Sequence, residues 1–330
     1  MRVGTVPRVL RPPALLDVST DHPRRSFIHG TRAEALLAAG AERWGPKVVG
    51  LVPDSLRPWL RKLHRPLVRA VAAQRYRLKY GARFLADIDD HDELLLYSLD
   101  VAADKPALRY YHAVRSYFQG GEWNAAEVEK VLRDHGFSLQ DTRSLLEFAC
   151  GWGRVTRHLV HLVDPARTTV SDIDRRAVDF VRGGLGVRGF YSTSAADELV
   201  HDGRYDVIVV VSLFSHLPLA QWGPWLRRLG ELLEEDGVLV FSTLGMHAFE
   251  VNVAEAERGL FRRVTEGFFY NEANETRGRL SADHYGTAYV DEAFVSNAAA
   301  ERFPGRLVAL CPQALNGLQD VYLLQCTSRT

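Results

Sequence analysis

The stretch Leu145-Leu-Glu-Phe-Ala-Cys-Gly-Trp-Gly-Arg-Val-Thr-Arg-His-Leu159 decides how the rest of this 330-residue chain is read. Its apolar start predicts a strand over 144–148. The small residues Ala149, Gly151 and Gly153 then predict a tight turn, followed by a helix over 153–163. Such a turn lets backbone N–H groups approach a ligand closely, and the helix N-terminus adds unpaired donors for a carboxylate or phosphate. Asp172 closes the next predicted strand, over 168–171, and lies 19 residues beyond Gly153. A carboxylate there accepts hydrogen bonds from ribose hydroxyls in the crevice beyond the strand ends. Turn and carboxylate together point to a nucleoside-containing cofactor.

Outward from that stretch, short β-rich runs alternate with amphipathic helices, the pattern of a parallel sheet wrapped by helices. A helix is expected over 175–183 and strands over 189–191 and 206–211; the Val-Ile-Val-Val-Val run at 207–211 suits a strand buried on both faces. A helix over 219–234 leads through a turn at Asp236-Gly237 into a strand over 238–242. A helix over 291–301 precedes two strands, 306–311 and 321–326, joined by a loop over 312–319 with no helix between them. One of that last pair must therefore run antiparallel. The expected fold is α/β, doubly wound and seven-stranded, with the last strand antiparallel and a helical N-terminal region.

Three regions are expected. Residues 1–53 form an extension, Pro-rich at first, with a helix over 31–44 that Thr31 would cap; residues 54–140 form a helical cover; residues 141–330 form the cofactor domain. The span 244–290 is too long for a simple connection and reads as a substrate cover or a self-packed excursion. Nine Arg or Lys and no acid lie between 55 and 85, and seven acids lie between 86 and 105. The plainer reading is two solvated helix faces that partly neutralise each other. A surface for an anionic ligand or membrane and an Asp-based metal site are the functional alternatives.

Composition narrows the class. Apolar residues make up 46% and charged residues 25%, ordinary for a globular protein, and Lys+Arg and Asp+Glu are both 41, so no net field attracts nucleic acid or a membrane. Only five of the 41 cations are Lys, which reflects base composition of the coding DNA before chemistry. Cys150, Cys311 and Cys326 are too far apart for a zinc motif and suit a reducing compartment. The first 16 residues lack the continuous apolar core of a signal peptide, so a soluble cytoplasmic protein is expected, with no metal.

The dinucleotide fingerprint requires a third glycine, and Thr156 stands at that position. S-adenosylmethionine, which has no phosphates, suits the turn better, although the turn alone leaves a nicotinamide cofactor open. Glu147-x-Ala149-x-Gly151-x-Gly153 resembles the first motif of the class I S-adenosylmethionine-dependent methyltransferases, with Ala149 in place of the usual first glycine. Arg204-Tyr-Asp-Val-Ile208 and Ser212-Leu-Phe-Ser-His-Leu-Pro218 resemble that superfamily's fourth-strand motif, and 232–241 its approach to the fifth strand. The likeness extends to a bacterial branch associated with glycan or secondary-metabolite pathways. There the matching residues are Gly151-x-Gly153-Arg154, Arg157-His158, His216-Leu217-Pro218, Tyr285-Gly286-Thr287 and Gln319-Asp320-Val321.

The resemblance implies a Rossmann-like domain and S-adenosylmethionine as cofactor, with S-adenosylhomocysteine as product. It implies that Ala149, Gly151 and Gly153, with Glu147 and Arg154, hold the amino-acid end; Asp172 holds the ribose and Ile173 packs on the adenine. Ala195 stands where the branch carries an Asp, which leaves adenine recognition to backbone or to Thr193 and Ser194. Ser212, Leu213 and Tyr117 complete the cofactor set, Tyr117 from a helix expected to end at Gly120-Gly121 and to act as a lid or as core packing. His216 is the candidate base, or else a helix cap, and Tyr285 its companion. His247, Glu250, Tyr270, His284 and Asp320 are candidate acceptor contacts, Asp320 serving equally well to stabilise a turn. The expected activity is methyl transfer to a small hydroxylated metabolite, oxygen being favoured over nitrogen or carbon. The rivals are a Rossmann-like binder of S-adenosylmethionine or of a partner without catalysis, and a nicotinamide-dependent oxidoreductase. A homodimer is compatible with the sequence, though no residue requires one.

Overall fold

The computed structural model describes residues 57–101, 109–272 and 284–327. The expected extension over 1–53, with its helix over 31–44, lies outside the described residues. Among the described residues four helices come first: α1 (Arg57–Ala72), α2 (Gln74–Tyr80), α3 (Glu93–Val101) and α4 (Arg109–Asp134). The α/β part follows as β1 (Leu145–Phe148), α5 (Thr156–Leu159), β2 (Thr168–Asp172), α6 (Arg175–Leu185), β3 (Arg188–Tyr191), β4 (Tyr205–Val210), α7 (Leu219–Glu231) and β5 (Leu233–Leu244). Then come α8 (Met246–Asn252), β6 (Arg262–Thr265), β7 (Phe268–Asn271), β8 (Thr287–Val290), α9 (Glu292–Arg302), β9 (Gly305–Leu315) and β10 (Gln319–Cys326).

Seven strands form the expected sheet in the order β3-β2-β1-β4-β5-β10-β9, parallel except that β10 runs antiparallel to both its neighbours. Alternation along each strand sends side chains to opposite faces. Leu146, Phe148, Ile208, Val210, Leu239 and Phe241 pack beneath Trp222, Trp225 and Leu226 of α7 and Val295 of α9. Leu145, Val207, Val209, Val238 and Val240 pack against Val128, Val131 and Leu132 of α4 and Leu159 of α5. Both faces are covered, which is why the strands read as nearly continuous apolar runs.

The described part of the insertion over 244–290 is built partly of strands. It extends the sheet with three strands: β8 joins β5 in parallel through the pair Leu244–Tyr289, and β7 and β6 follow antiparallel. Three local expectations also change. The helix holding Tyr117 does not stop at Gly120-Gly121 but runs on to Asp134, because those glycines are where α4 presses on the turn after β1. A Cβ on Gly121 would fall onto the Arg154 carbonyl, and one on Gly120 would lie 2.8 Å from Arg154 Nη1. Asp236-Gly237 is a bulge inside β5, with Asp236 at φ 61° and a register shift opposite β4, so the strand starts earlier than expected. The loop over 312–319 is mostly strand, closed by Asn316 (φ 56°) and Gly317 (φ 68°) with Leu318 N–H donating to Leu315 O at 3.1 Å, the geometry of a type I′ hairpin.

The helical region is two things. Tyr76, Phe84, Ile88 and Leu95 form a small core with Val114, Tyr117 and Phe118 of α4, while the second half of α4 belongs to the sheet's own core. The opposite charge blocks meet where they are described: Arg69 binds Asp87 at 2.7 Å and Asp90 at 2.6 Å, and Arg65 reaches Asp90 at 2.9 Å.

Arg157, fully buried on α5, locks these layers together. Its Nε donates to Gly153 O at 2.9 Å. Nη1 donates to Leu85 O and Asp87 O, both at 2.9 Å, and Nη2 to Trp152 O at 3.1 Å and Tyr117 Oη at 3.3 Å. All five guanidinium N–H groups are used. Arg157→Met should lower the unfolding free energy by about 3 kcal/mol or more, because it strands buried acceptors from three segments. Urea denaturation with an unchanged slope checks this; a midpoint equal to that of the parent chain would contradict it.

Candidate active site

The turn after β1 takes a conformation few side chains favour. Ala149, Gly151 and Gly153 have φ of 59°, 51° and 75°. A Cβ on Gly153 would lie 2.8 Å from Val181 of α6, whereas one on Gly151 would meet nothing within 4 Å. The turn is thus packed on one side and open on the other. Ala149 holds the left-handed conformation despite its Cβ, at a cost of about 1–2 kcal/mol.

Asp172 turns back from the end of β2 onto this loop. Its Oδ2 accepts from Gly151 N–H at 2.8 Å and its Oδ1 from Asp174 N–H at 2.9 Å. Each carboxylate oxygen retains a lone pair for a further donor. Burial pushes the Asp172 carboxyl up, opposed by those two backbone N–H groups. Ile173 beside it is 40% exposed, an apolar surface at the rim of the crevice. Past β3, Thr193 Oγ1 donates to Ala195 O at 2.8 Å and so closes its own loop, with Ser194 half-buried between them.

Two opposite charges lie beneath the turn. Glu147 of β1 is 2% exposed, and its Oε2 has no hydrogen-bond partner. Burial lifts its carboxyl to about 7, against the opposing influence of Thr156 and Arg154. The Arg154 Nε is likewise buried without a partner, and burial lowers that guanidinium's pKa. Tyr117 is placed differently from its expected cofactor role. It is 1% exposed, accepts from Arg157, lies under that guanidinium (5.0 Å to the ring centroid) and faces the Asp92 carboxylate. Tyr117 braces the turn from below.

The other half of the crevice is built beyond β4 and β5. Ser212 leaves β4 at φ 67°, and Leu213 packs against the main core. His216 follows on the same loop, half-buried, with Nδ1 2.9 Å from Gly286 O, while Gly286 N–H donates back to His216 O at 2.9 Å. A carbonyl only accepts, so Nδ1 carries the proton and Nε2 the lone pair. Tyr285 stacks on the imidazole at 4.4 Å and 8°. Tyr270, 7% exposed on β7, lies against Gly286, where a Cβ would strike its hydroxyl. His216, Tyr285 and Tyr270 are therefore brought together. Asp320 accepts from Gln313 N–H at 2.8 Å and packs on Gly245, the turn-stabilising role, with His247 facing it. Glu250 and His284 are exposed and have no part in that group.

Comparison with known proteins agrees with this geometry. Residues 146–239 match the family model described as a methyltransferase domain. Over those residues, from β1 into β5, the chain is similar to a methyltransferase domain. Over 141 residues it is 30% identical to the ubiquinone biosynthesis O-methyltransferase of Azorhizobium caulinodans, covering 38% of this chain and 53% of that protein. Over 179 residues it is 31% identical to a malonyl-[acyl-carrier protein] O-methyltransferase of Bacillus anthracis, covering 51% and 65%. The chain spans about half the length of the curated relatives it matches. Among solved structures it is similar to the CcbJ methyltransferase of Streptomyces caelestis, at 17% identity and a TM-score of 0.44, covering 63% and 90%.

Glu147 and Arg154, each with a buried atom lacking a partner, and the Asp172 carboxylate beside half-exposed Ile173 are the groups a cofactor at this turn would have to meet. Sequence reasoning noticed Arg157 only through the resemblance and gave it no role. Its signal was an Arg one turn into the helix after a glycine turn, next to His158, which is also buried.

Two outcomes follow from the turn. Ala149→Gly should raise stability by about 0.5–1 kcal/mol, the left-handed strain relieved less the entropy that glycine loses on folding; a lowered thermal midpoint would contradict this. Glu147 holds a proton in the folded chain up to about pH 7, whereas an unfolded Glu releases it near pH 4.3. Its contribution is therefore complete below about pH 4 and is lost as the pH rises through about 7. Glu147→Gln should remove that decline, gaining on the order of 2 kcal/mol over the parent chain at about pH 8.5 relative to about pH 5. Urea denaturation at the two pH values measures it, and parallel pH profiles for the two proteins would refute it.

Proposed function

We propose that this chain is an S-adenosylmethionine-dependent O-methyltransferase acting on a small hydroxylated metabolite, sugar-containing or from secondary metabolism. The observation that carries the reading is the His216 lock. Gly286 O fixes the Nδ1–H tautomer, which leaves the ring's lone pair on Nε2, on the loop that follows the carboxyl end of β4. A hydroxyl nucleophile must lose its proton, and a positioned imidazole is the commonest group to take it. Two curated relatives named as O-methyltransferases support the same choice.

When bound, S-adenosylmethionine supplies an electrophilic sulfonium methyl group. Gly151 and Gly153, with Glu147 and Arg154 beneath them, hold the amino-acid end, and Asp172 accepts from the ribose. His216 Nε2 takes the acceptor's hydroxyl proton, and the Gly286 carbonyl stabilises the imidazolium through Nδ1–H. Tyr285 stacks on the imidazole and keeps its plane fixed, while Tyr270 closes the wall behind it. Most of the rate gain in such a displacement is positioning, which these contacts provide.

Calorimetric titration with S-adenosylmethionine, and with NADH as control, should show binding of the first only. Asp172→Ala should weaken it by about 1–3 kcal/mol. In a screen of phenols, sugars and glycosides with methyl-tritiated S-adenosylmethionine, His216→Ala should lower turnover about 10²–10⁴-fold with cofactor affinity retained. Binding of NADH alone, or full turnover by His216→Ala, would sink the reading.

A further inference from the structure

Ser212, at the carboxyl end of β4, is a second left-handed residue that is not glycine, with φ 67°. Such a conformation persists only where its surroundings over-determine it. Three contacts do so. Ser212 N–H donates to Ser242 Oγ at 2.8 Å, Ser212 O accepts from Ser215 Oγ at 2.7 Å, and Gln319 Nε2 donates to Ser212 Oγ at 2.9 Å.

Proton accounting fixes how the Gln319 amide lies. Ser242 Oγ already accepts from Ser212 N–H, so its own proton goes to Gln319 Oε1, 2.7 Å away. Ser242 is 1% exposed, which leaves water no access as an alternative partner. With Oε1 held by Ser242, Nε2 is the end that faces Ser212. Gln319 itself opens β10 and is paired with Leu244 of β5 and Leu315 of β9, so its side chain extends from a backbone fixed on both sides. β4 is also the direct neighbour of β1, which places the Ser212 loop beside the 149–153 turn.

We propose that Gln319 is a positioning residue for the cofactor pocket: anchored by Ser242, it holds Ser212 in the left-handed conformation and so sets the path of the loop that walls the pocket. The proposal rests on the S-adenosylmethionine reading above. It gives Gln319, at the start of β10, a part in cofactor binding from 107 residues away.

The test is a mutant cycle read by S-adenosylmethionine calorimetry, with near-ultraviolet circular dichroism to verify the fold. Gln319→Ala should bind about tenfold more weakly, because an unheld serine leaves the left-handed region. Ser212→Gly alone sets the reference affinity for a chain whose residue 212 needs no support. The double variant Gln319→Ala/Ser212→Gly should bind within about threefold of Ser212→Gly, since glycine takes that φ unaided. A Gln319→Ala variant that binds as tightly as the parent chain would overturn the proposal, and so would a loss from Gln319→Ala that is just as large in the Ser212→Gly background. Either result with a parent chain that binds S-adenosylmethionine removes Gln319 and leaves the cofactor reading in place. A parent chain that does not bind it removes both.

Discussion

One buried cation joins the two halves of this molecule. Arg157 sits at zero exposure, and no carboxylate meets it at ion-pair distance among the described residues; Asp92 acts on it from farther away, across Tyr117. Desolvating a guanidinium is costly unless every donor finds a partner. Here four backbone carbonyls and one phenol supply five acceptors, and Tyr117 and Phe118 add ring faces at 5.0 and 5.5 Å. Those acceptors come from 85–87, from α4 and from 152–153. The helical layer and the cofactor turn therefore cannot shift independently without breaking bonds to one side chain. This is why the helices ahead of the sheet belong to the domain's working structure even though none of them carries a motif residue at the crevice.

The crevice stores strain at two places, and each is held differently. Ala149 is left-handed because the strand before it and the packed Gly153 after it leave no other path. Ser212 is left-handed because hydrogen bonds from β5, from β10 and within its own loop hold it there. The first is fixed by covalent continuity and packing, the second by polar contacts whose donors and acceptors are all specified. In both cases the sequence shows a non-glycine residue where glycine would be unstrained, and the structure keeps the turn. Ala149, which from sequence alone left a broken pocket open, takes up the left-handed conformation that the first glycine of the motif would adopt.

The legibility of the fold followed from how local each signal was. Strands β1 and β4 were visible as apolar runs because both their faces are buried, β2 as a short β-branched run, and the turn was visible because Gly151 and Gly153 lie inside it. The terminal hairpin was legible from two strands with no helix between them, but its tight turn at Asn316-Gly317 was spread over a loop beginning at Pro312. Gly120-Gly121 misled for a different reason. Glycine ends helices when it relieves a left-handed cap, but these two relieve a crossing, and nothing within α4 distinguishes the cases without knowing that Arg154 presses there. The strands β6 to β8 were illegible because β8 meets β5 through a single residue pair, a contact set by tertiary placement. Tyr117, on a helix readable either as a lid or as core packing, is buried in the core against Arg157.

Glu147 and Arg154 show why the lower wall of the crevice suits a zwitterion. An opposite pair this close could satisfy itself, yet each keeps a buried atom without a partner: Oε2 on the acid and Nε on the guanidinium. Burial has raised the pKa of one and lowered that of the other, the direction expected of charges left under-compensated by the protein. Folding has already met the desolvation cost of these groups. A ligand that brings an ammonium and a carboxylate to this wall gains the pairing without that cost, which is how preorganised sites bind charge more strongly than water does. A neutral ligand, or one carrying a single sign, would leave one of the two atoms orphaned. The amino-acid end of the proposed cofactor carries both signs and would satisfy the two atoms together.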